Sequence, residues 1–442
     1  MQPTSIEEGV SAAFDSLLGD RLAILCGAGL SMAEPSSLPS AATLAWQAKR
    51  KYDAQYGATR DPLPPGIEDQ AEFFFRRGEL ATVYLRTLID PNAFAGQPNP
   101  GHHAVADLLL VRGLRIAVTT NVDCMIETAG HMLFGQIGMG IDGVSVSRLP
   151  PVSSPLLKIH GCRTCDPDNT VWAPGQIDAD PVAQRIASSE QWLSTNLLDR
   201  DLLVVGYWSD WDYLNAVLAR TLGAARPSRV IVVDPADSGT FPAKAPSLYA
   251  LGQRATAGFH HVRASGAEFL DLLRLEFSRS FVRRVLFSGR DEFEVETGSL
   301  AEPAWFELLD ADNDTLWQIR RDLEGRKPRE PSREAVPPEE ALLGLILLKL
   351  RAGGAVPDGP YWRLNGRLIR VLRTPNQPLH RVKADFERET APSVAPDIVI
   401  AVGAEAYPLP SDIVRGATTP TITRGSSSRW LTRPEAVQEL GL

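Results

Sequence analysis

Cysteine is scarce in this sequence. Its 442 residues include only four cysteines, at positions 26, 124, 162 and 165, which is too few for the disulfide framework of a small secreted domain. Cys162 and Cys165 form a single C-x-x-C pair, and no later cysteine supplies the second pair of an ordinary structural zinc site. We therefore expect no metal, although folding could still bring Cys26, Cys124 or a histidine to this pair.

Long apolar segments are absent as well, and no leader sequence is recognisable. The longest apolar stretch, residues 341–350, is interrupted by Gly344 and Lys349 and is too short to cross a bilayer. The first 18 residues contain no basic segment followed by an apolar run, which a secretion signal would need. These absences predict a cytoplasmic protein without a membrane segment.

The sequence also lacks an excess of positive charge. The net charge is −9 and the pI is about 5.4, so the chain as a whole does not attract nucleic acid or anionic lipid. Arginines near residues 280 and 365 lie on apolar backgrounds, a pattern typical of solvated faces. Direct nucleic-acid binding is therefore not expected. The length allows two or three globular domains.

A short apolar run followed by a glycine turn is the most informative local pattern. Residues 22–26 predict a buried parallel strand, and Gly27-Ala28-Gly29 would let the chain turn tightly and approach a ligand. Ser31 would cap the next helix, whose free N–H groups suit a phosphate. A turn without a ligand is the alternative, because Met32 stands where the dinucleotide fingerprint needs a third glycine or alanine.

Four later apolar runs also end in small or polar residues, and they predict four more parallel strands. The runs cover residues 116–118, 155–162, 202–205 and 229–235. The residues at their ends are Thr120, Asn121 and Asp123, then His160 and Gly161, then Gly206, Ser209 and Asp210, and finally Asp234. Ligands of open α/β sheets bind at the carboxyl ends of the strands, so these residues are functional candidates. The alternatives are that Asp123 only caps a helix and that His160 is structural.

The alternation of these strands with helical patterns predicts an α/β fold with a doubly wound parallel sheet. Helical patterns at residues 44–56 and 67–89 indicate a helical insertion. Residues 256–287 are expected to form a last helical section, and the first domain would cover residues 1–290.

Residues 300–442 are expected to form a smaller α+β region. Asn365-Gly366 lies between two apolar runs and is a strong hairpin signal. Residues 338–350 have a helical pattern, and residues 397–402 predict one further strand. No catalytic group of residues is recognisable here, so we expect this region to serve assembly or partner binding.

Taken together, the strand ends resemble the sirtuin family of NAD-dependent enzymes. The matching segments are Gly27-Ala28-Gly29-Leu30-Ser31, Thr120-Asn121-Val122-Asp123, His160-Gly161, Gly206 and Val233-Asp234, and they follow the family's order. They lie between residues 20 and 240, which is about half of the chain. The resemblance implies a Rossmann-like sirtuin fold and NAD as the substrate.

The chain departs from the sirtuin deacylases at three points. It has one C-x-x-C pair where they have two, Thr120 where they have glutamine, and the segment MAEPSSLPSA where their loop ends in phenylalanine and arginine. The chain is more similar to the bacterial sirtuin-like proteins that hydrolyse NAD in anti-phage defence. The alternatives are a non-catalytic NAD or ADP-ribose sensor and a protein deacylase or ADP-ribosyl transferase.

The resemblance also implies roles for the candidate residues. In an NAD hydrolase, the phosphates would be held by Gly27, Ala28, Gly29 and Ser31. Asn121 would hold the ribose or the attacking water. Asp123 would bind the nicotinamide carboxamide, and Asp234 would bind the adenosine ribose. His160 would be the general base, since its ordinary pKa suits proton transfer at neutral pH. Thr120, Gly206 and Ser209 complete the set expected to contact NAD. Such an enzyme needs restraint, so we expect a homo-oligomer or a protein partner such as an ATPase or an Argonaute-like subunit.

Overall fold

The computed structural model describes residues 3–57, 59–151, 153–207, 212–223, 225–307, 311–325, 340–387, 394–406 and 428–442. Within them the chain divides into two compact units, Met1–Arg274 and Leu275–Leu442. The division falls inside the long helix Gly266–Ser288, whereas the sequence pattern placed the end of the first domain near residue 290.

The first unit is built on one sheet of eight parallel strands. In chain order they are β1 (Pro3–Thr4), β2 (Leu22–Cys26), β3 (Ile116–Thr119), β4 (Met139–Gly140), β5 (Leu156–Lys158), β6 (Asp201–Val205), β7 (Arg229–Val233) and β8 (Gly258–Val262). Their order across the sheet is β1-β8-β7-β6-β2-β3-β5-β4. Every residue of β2, β3, β5 and β6 is buried, as expected for a sheet covered on both faces.

Helices flank this sheet. They are α1 (Ile6–Leu18), α2 (Gly29–Met32), α3 (Ala41–Tyr56), α4 (Ile67–Phe75), α5 (Pro100–Leu110), α6 (Met125–Met132), α7 (Gly143–Ser147), α8 (Val182–Asn196), α9 (Asp212–Leu222), α10 (Phe241–Lys244), α11 (Pro246–Gln253) and α12 (Gly266–Ser288). The π-helix Leu80–Leu88 follows α4. Side chains of α8, α9 and α11 share a core with β2 and β6, while α1 and α5 contact β2 and β3. The predicted α/β class and doubly wound parallel sheet are therefore confirmed.

The strand order places a change of direction beside β2. Strands β3, β5 and β4 lie on one side of β2, and the chain then crosses to the other side, where β6, β7 and β8 follow outward. Connections that leave neighbouring strands in opposite directions open a crevice between their carboxyl ends. In this sheet the crevice is expected at the ends of β2 and β6.

Three glycines bring the ends of β2 and β6 into direct backbone contact. The Gly27 N–H donates to the Val205 carbonyl at 2.9 Å, and the Gly29 N–H donates to the Gly206 carbonyl at 2.8 Å. A Cβ at Gly27 would lie 2.6 Å from the Gly206 oxygen, and one at Gly206 would lie 2.4 Å from the Leu30 nitrogen. The sequence of this turn is therefore set by backbone packing as well as by any ligand.

Strands β1 and β4 were not predicted from the sequence, and two further segments of the first unit differ from the expectation. Residues 258–262 form strand β8, although they were expected to belong to a helical section. Their sequence GFHHV is only partly buried in this strand, so it lacks the apolar run by which the other strands were recognised. The single helical pattern at residues 67–89 is split into α4 and the π-helix, with Gly78 between them at φ +68°.

The second unit contains a five-stranded mixed sheet and its helices. The strands are β9 (Val356–Asp358), β10 (Tyr361–Leu364), β11 (Arg367–Arg373), β12 (Ile398–Val402) and β13 (Arg429–Thr432), and the helices are α13 (Arg290–Thr297), α14 (Asn313–Glu324), α15 (Glu340–Ala352), α16 (Leu379–Glu387) and α17 (Arg433–Leu440). Strands β10 and β11 pair antiparallel around Asn365 and Gly366, which have φ values of +50° and +80°. The predicted hairpin is confirmed, and so is the α+β character of this region.

A bilayer-spanning helix was not expected from the sequence. Among the residues that the structure describes, no helix combines the length and the apolar character that crossing a membrane requires.

Replacing Gly206 with alanine should destabilise the protein more than the same change at Gly78. Both glycines have positive φ, +62° and +68°, so both variants bear a backbone cost of roughly 1–2 kcal/mol. At Gly206 the new methyl group would also meet backbone atoms, whereas no atom lies within 4 Å of it at Gly78. We expect the free energy of unfolding to fall by about 1 kcal/mol for Gly78→Ala and by at least ~3 kcal/mol for Gly206→Ala. Equal losses in urea unfolding would contradict the packing at this junction.

Candidate functional site

Ser31 is the centre of a polar network beside the ends of β2 and β3. Its hydroxyl donates to Asp123 Oδ2 at 2.9 Å and accepts from Asn121 Nδ2 at 3.0 Å. The ring nitrogen Nε2 of His102 lies 3.1 Å from the same oxygen. Ser31, His102 and Asp123 are all buried. The structure thus brings together three of the predicted site residues and adds one, His102, that the sequence analysis missed.

The hydrogen bonds of His102 assign its tautomer. Asn99 is the N-cap of α5, and its backbone N–H donates to His102 Nδ1 at 3.2 Å. Because Nδ1 accepts, the ring proton of the neutral form is on Nε2, which donates to Ser31. Burial lowers the pKa of His102 to about 4, although Asp123 opposes this shift. The capping pattern of asparagine followed three residues later by histidine was the available sequence signal for this position.

Asn121 is held firmly but keeps one polar atom unused. Its Nδ2 donates to the Gly27 carbonyl at 3.2 Å as well as to Ser31, and its backbone N–H donates to Thr119 Oγ1 at 3.0 Å. The side-chain oxygen Oδ1 is buried and accepts no hydrogen bond from the residues that the structure describes. A buried acceptor without a donor is costly, so this oxygen is suited to a donor on a ligand, such as a hydroxyl group or a water.

Asp123 has a structural role in addition to its contact with Ser31. Its Oδ1 accepts the N–H of Met125, the first residue of α6, at 3.0 Å. A helix-capping role and a role in the site are therefore compatible for Asp123. One carboxylate oxygen supports the start of α6, while the other accepts from Ser31. A ligand that bonds to Asp123 would share a carboxylate that is already engaged on both oxygens.

The glycine turn and Ser31 already form hydrogen bonds within the protein that the sequence did not indicate. The amides of Gly27 and Gly29 donate to the end of β6, and the Ser31 hydroxyl donates to Asp123. A phosphate bound here would have to compete with these bonds, or use the amide of Ala28. The expected roles of these four residues in holding the phosphates remain a prediction.

His160 lies one strand further along the sheet, two residues beyond the end of β5. It is buried, and its imidazole interacts with the backbone of Thr120. Burial and the nearby Arg185 guanidinium lower the pKa of His160 from 6.5 to about 3. The ring is desolvated and faces a cation, so its pKa lies below the ordinary value from which the general-base role was expected. The imidazole is uncharged at physiological pH, and its role as general base stays a prediction.

The remaining predicted residues are Thr120, Gly206, Ser209 and Asp234. Asp234 follows β7 and is buried, its Oδ1 accepts the N–H of Ala236 at 2.7 Å, and burial raises the pKa of its carboxyl group. Thr120 is buried, and its backbone N–H donates to the Cys26 carbonyl at 3.1 Å. Gly206 forms the contact with the glycine turn described above. Ser209 and Asp210 lie outside the described residues.

A sulfur-containing cluster adjoins the network at the ends of β3 and β5. The ligand atoms of Cys124, Cys162 and Glu127 lie within 4.8 Å of one another, so folding does bring Cys124 to the C-x-x-C pair. However, Glu127 is already paired with the fully buried ammonium group of Lys158 at 2.9 Å. A cation in contact with the donor set does not fit a divalent metal, and we assign no metal to this cluster.

Comparison with known proteins gives only distant structural similarities. No protein-family model matches the chain, and no curated protein matches it. A Sir2 homologue in complex with NAD is 16% identical with a TM-score of 0.33 and covers 61% of this chain and 94% of its own. A mutant Sir2 homologue in complex with ADP-ribose is 16% identical with a TM-score of 0.31 and covers 59% and 92%. At such low identities and TM-scores, the family has to be argued from the residues of this chain.

Two of the buried histidines, His102 and His160, should make the protein acid-sensitive. An unfolded histidine binds its proton with a pKa of about 6.5, whereas folded His102 and His160 do so only near 4 and 3. Between these values the unfolded state holds more protons, so the free energy of unfolding falls as the pH drops below about 6.5. Each histidine contributes about 1.4 kcal/mol per pH unit.

Chemical denaturation at pH values between 7.5 and 5 would measure this slope. We expect His160→Gln and His102→Gln each to reduce it, whereas His131→Gln, at an exposed position, should leave it unchanged. An unaltered slope in His160→Gln would show that this ring is not held neutral by burial.

Proposed function

We propose that this chain is a sirtuin-like NAD glycohydrolase, which cleaves the bond between nicotinamide and ribose to give nicotinamide and ADP-ribose. Two features support the proposal. The segments that resemble the sirtuins follow five parallel strands of one sheet in the family's order. The glycine turn also lies at the point where the connections change direction, which is where open α/β sheets bind nucleotides.

The observation that carries the proposal is the network of Ser31, Asn121 and Asp123. Cleavage of the nicotinamide bond develops positive charge on the ribose, so a site for it needs oriented acceptors and a place for water below the sugar ring. Asn121 is fixed at Nδ2 and presents an unused acceptor at Oδ1. This amide can hold a ribose hydroxyl or the attacking water without a change in its other bonds.

The electrostatics of the site fit a cationic transition state. Desolvation keeps His102 and His160 neutral at physiological pH, so neither adds a positive charge that would repel an oxocarbenium-like ribose. The Asp123 carboxylate lies one hydrogen bond from Ser31 and contributes negative charge. His160 would act as an acceptor that orients a hydroxyl or a water, and it would take up a proton only when the developing charge makes that proton strongly acidic.

The toxicity of the reaction implies restraint, and the resemblance to bacterial sirtuin-like proteins suggests the biological role. An unrestrained NAD hydrolase would deplete the cofactor pool of its own cell, and we propose a restrained effector of anti-phage defence in the cytoplasm. The second unit would supply self-assembly or bind a partner such as an ATPase or an Argonaute-like subunit. Expression with and without phage challenge, with NAD measured in the cells, tests this role.

Asn121→Ala and His160→Ala should each abolish measurable NAD consumption. Removal of a positioned acceptor or base typically lowers the rate by about 10² to 10⁴. Asn92→Ala and His131→Ala are matched controls at exposed positions, and they should retain wild-type turnover. Chromatography of nicotinamide and ADP-ribose from purified protein provides the measurement, with thermal unfolding to confirm that the variants fold.

Two outcomes would contradict the proposed activity. The first is tight NAD binding by the wild-type protein without turnover, even in infected-cell extract, which would favour a non-catalytic NAD or ADP-ribose sensor. The second is absence of NAD binding, which would argue against a sirtuin-like site altogether. A wild-type kcat/KM that falls between pH 8 and 5 in step with a group of pKa 6.5 would contradict the lowered pKa of His160.

A further inference from the structure

Two thiols meet at the ends of β3 and β5. The Sγ atoms of Cys124 and Cys162 lie 3.7 Å apart, and the Thr164 hydroxyl lies 3.1 Å from each of them. A disulfide bond has an S–S length of about 2.05 Å, so only a small approach separates the thiol pair from a bond. The structure has these cysteines in the reduced form.

The two chain segments that carry these thiols are already tied together. The Ile159 N–H donates to the Thr119 carbonyl at 3.1 Å, and the Arg163 N–H donates to the Val122 carbonyl at 2.9 Å. The two bonds lie on either side of Cys162 along the chain, whereas on the other segment both acceptors, Thr119 and Val122, precede Cys124. They hold Cys162 beside the residues that lead to Cys124, so closure requires the two sulfurs to approach one another.

A buried lysine supplies positive charge to the pair. The Lys158 side chain is fully buried, and its ammonium group contacts the Asp123 carbonyl oxygen, Glu127 at 2.9 Å and the Cys124 sulfur at 3.8 Å. A hydrogen bond from Cys124 lowers the pKa of the Cys162 thiol and Lys158 lowers it further, although burial opposes them. The same hydrogen bond raises the pKa of the Cys124 thiol. With its pKa lowered, Cys162 is the thiol of the pair that loses its proton more readily.

We propose that Cys162 and Cys124 are a peroxide-reactive thiol pair, which closes reversibly to a disulfide that joins the end of β3 to the end of β5. The oxidant class is a small hydroperoxide, because Cys162 is buried and Cys124 is only partly exposed. Cys165 is exposed, but it is not required for this disulfide. This inference concerns a modification site and does not depend on the proposed NAD hydrolysis.

The reaction balances without a further reactant. The Cys162 thiolate attacks one peroxide oxygen, the O–O bond breaks, and the departing hydroxide takes up a proton to become water, which leaves a sulfenic acid. The Cys124 sulfur then attacks the sulfenic sulfur, the S–O bond breaks, and the departing hydroxide takes the Cys124 proton. Two thiols and one hydrogen peroxide give one disulfide and two waters.

The principal experiment uses the full-length protein, freed of reductant and treated with stoichiometric hydrogen peroxide. Free thiols are blocked by alkylation before digestion, and the peptides are identified by mass spectrometry. We expect a peptide pair joined through Cys124 and Cys162 that disappears on reduction with dithiothreitol. Cys165→Ser should give the same product.

Two variants separate the roles of the partners. In Cys124→Ser the reaction should stop at a sulfenic acid on Cys162, which dimedone traps. Lys158→Met removes the ammonium group and should slow oxidation about tenfold, whereas Lys51→Met, at an exposed position, should not. Rates are followed by the loss of alkylatable thiol.

Three results would overturn the proposal. The first is a disulfide between Cys162 and Cys165 in place of the expected pair. The second is oxidation confined to the exposed Cys165, with Cys162 unreacted. The third is one equivalent of zinc in the purified protein that survives chelation and protects both thiols, because it would make this cluster a metal site.

Discussion

The close backbone contact between the end of β2 and the end of β6 is the constraint on which the rest of this structure depends. Gly27 and Gly29 carry no Cβ, and Gly206 adopts a positive φ, so the two strand ends can bond directly through their amides. This contact fixes where α2 begins and therefore where Ser31 lies. The hydrogen-bond network at the candidate site is built from that position outward.

Burial keeps the two histidines of the candidate site uncharged. Burial keeps His102 neutral and the N-cap of α5 holds it in one tautomer, so it serves Ser31 as a donor and does not compete with Asp123 as an ion. Burial also keeps His160 neutral, and the Arg185 guanidinium acts in the same direction. A site of this kind positions groups and stabilises developing cationic charge more readily than it stores protons.

The sulfur pair lies at the ends of β3 and β5, next to the candidate site. Cys124 directly follows Asp123, and Cys162 follows His160 by two residues, so the covalent chain places reactive sulfur beside both parts of the candidate site. The buried charge of Lys158 is compensated locally by Glu127 and by the thiol pair. Burial of a lysine is costly without such partners, which explains why thiols, carboxylate and ammonium occur together here.

Buried apolar runs and turn residues are local signals, and from them the parallel sheet, five of its eight strands and the hairpin at Asn365-Gly366 could be predicted. The same patterns located the polar residues at the strand ends. Three strands were not predicted, because β1 and β4 have only two residues each and the partly exposed β8 has no apolar run. Which strand ends are neighbours is known only from the fold, and so are the partners of Ser31, the pKa of His160 and the contact between Cys124 and Cys162. These properties depend on distances across the sheet and on burial, which residues far apart in the chain create together.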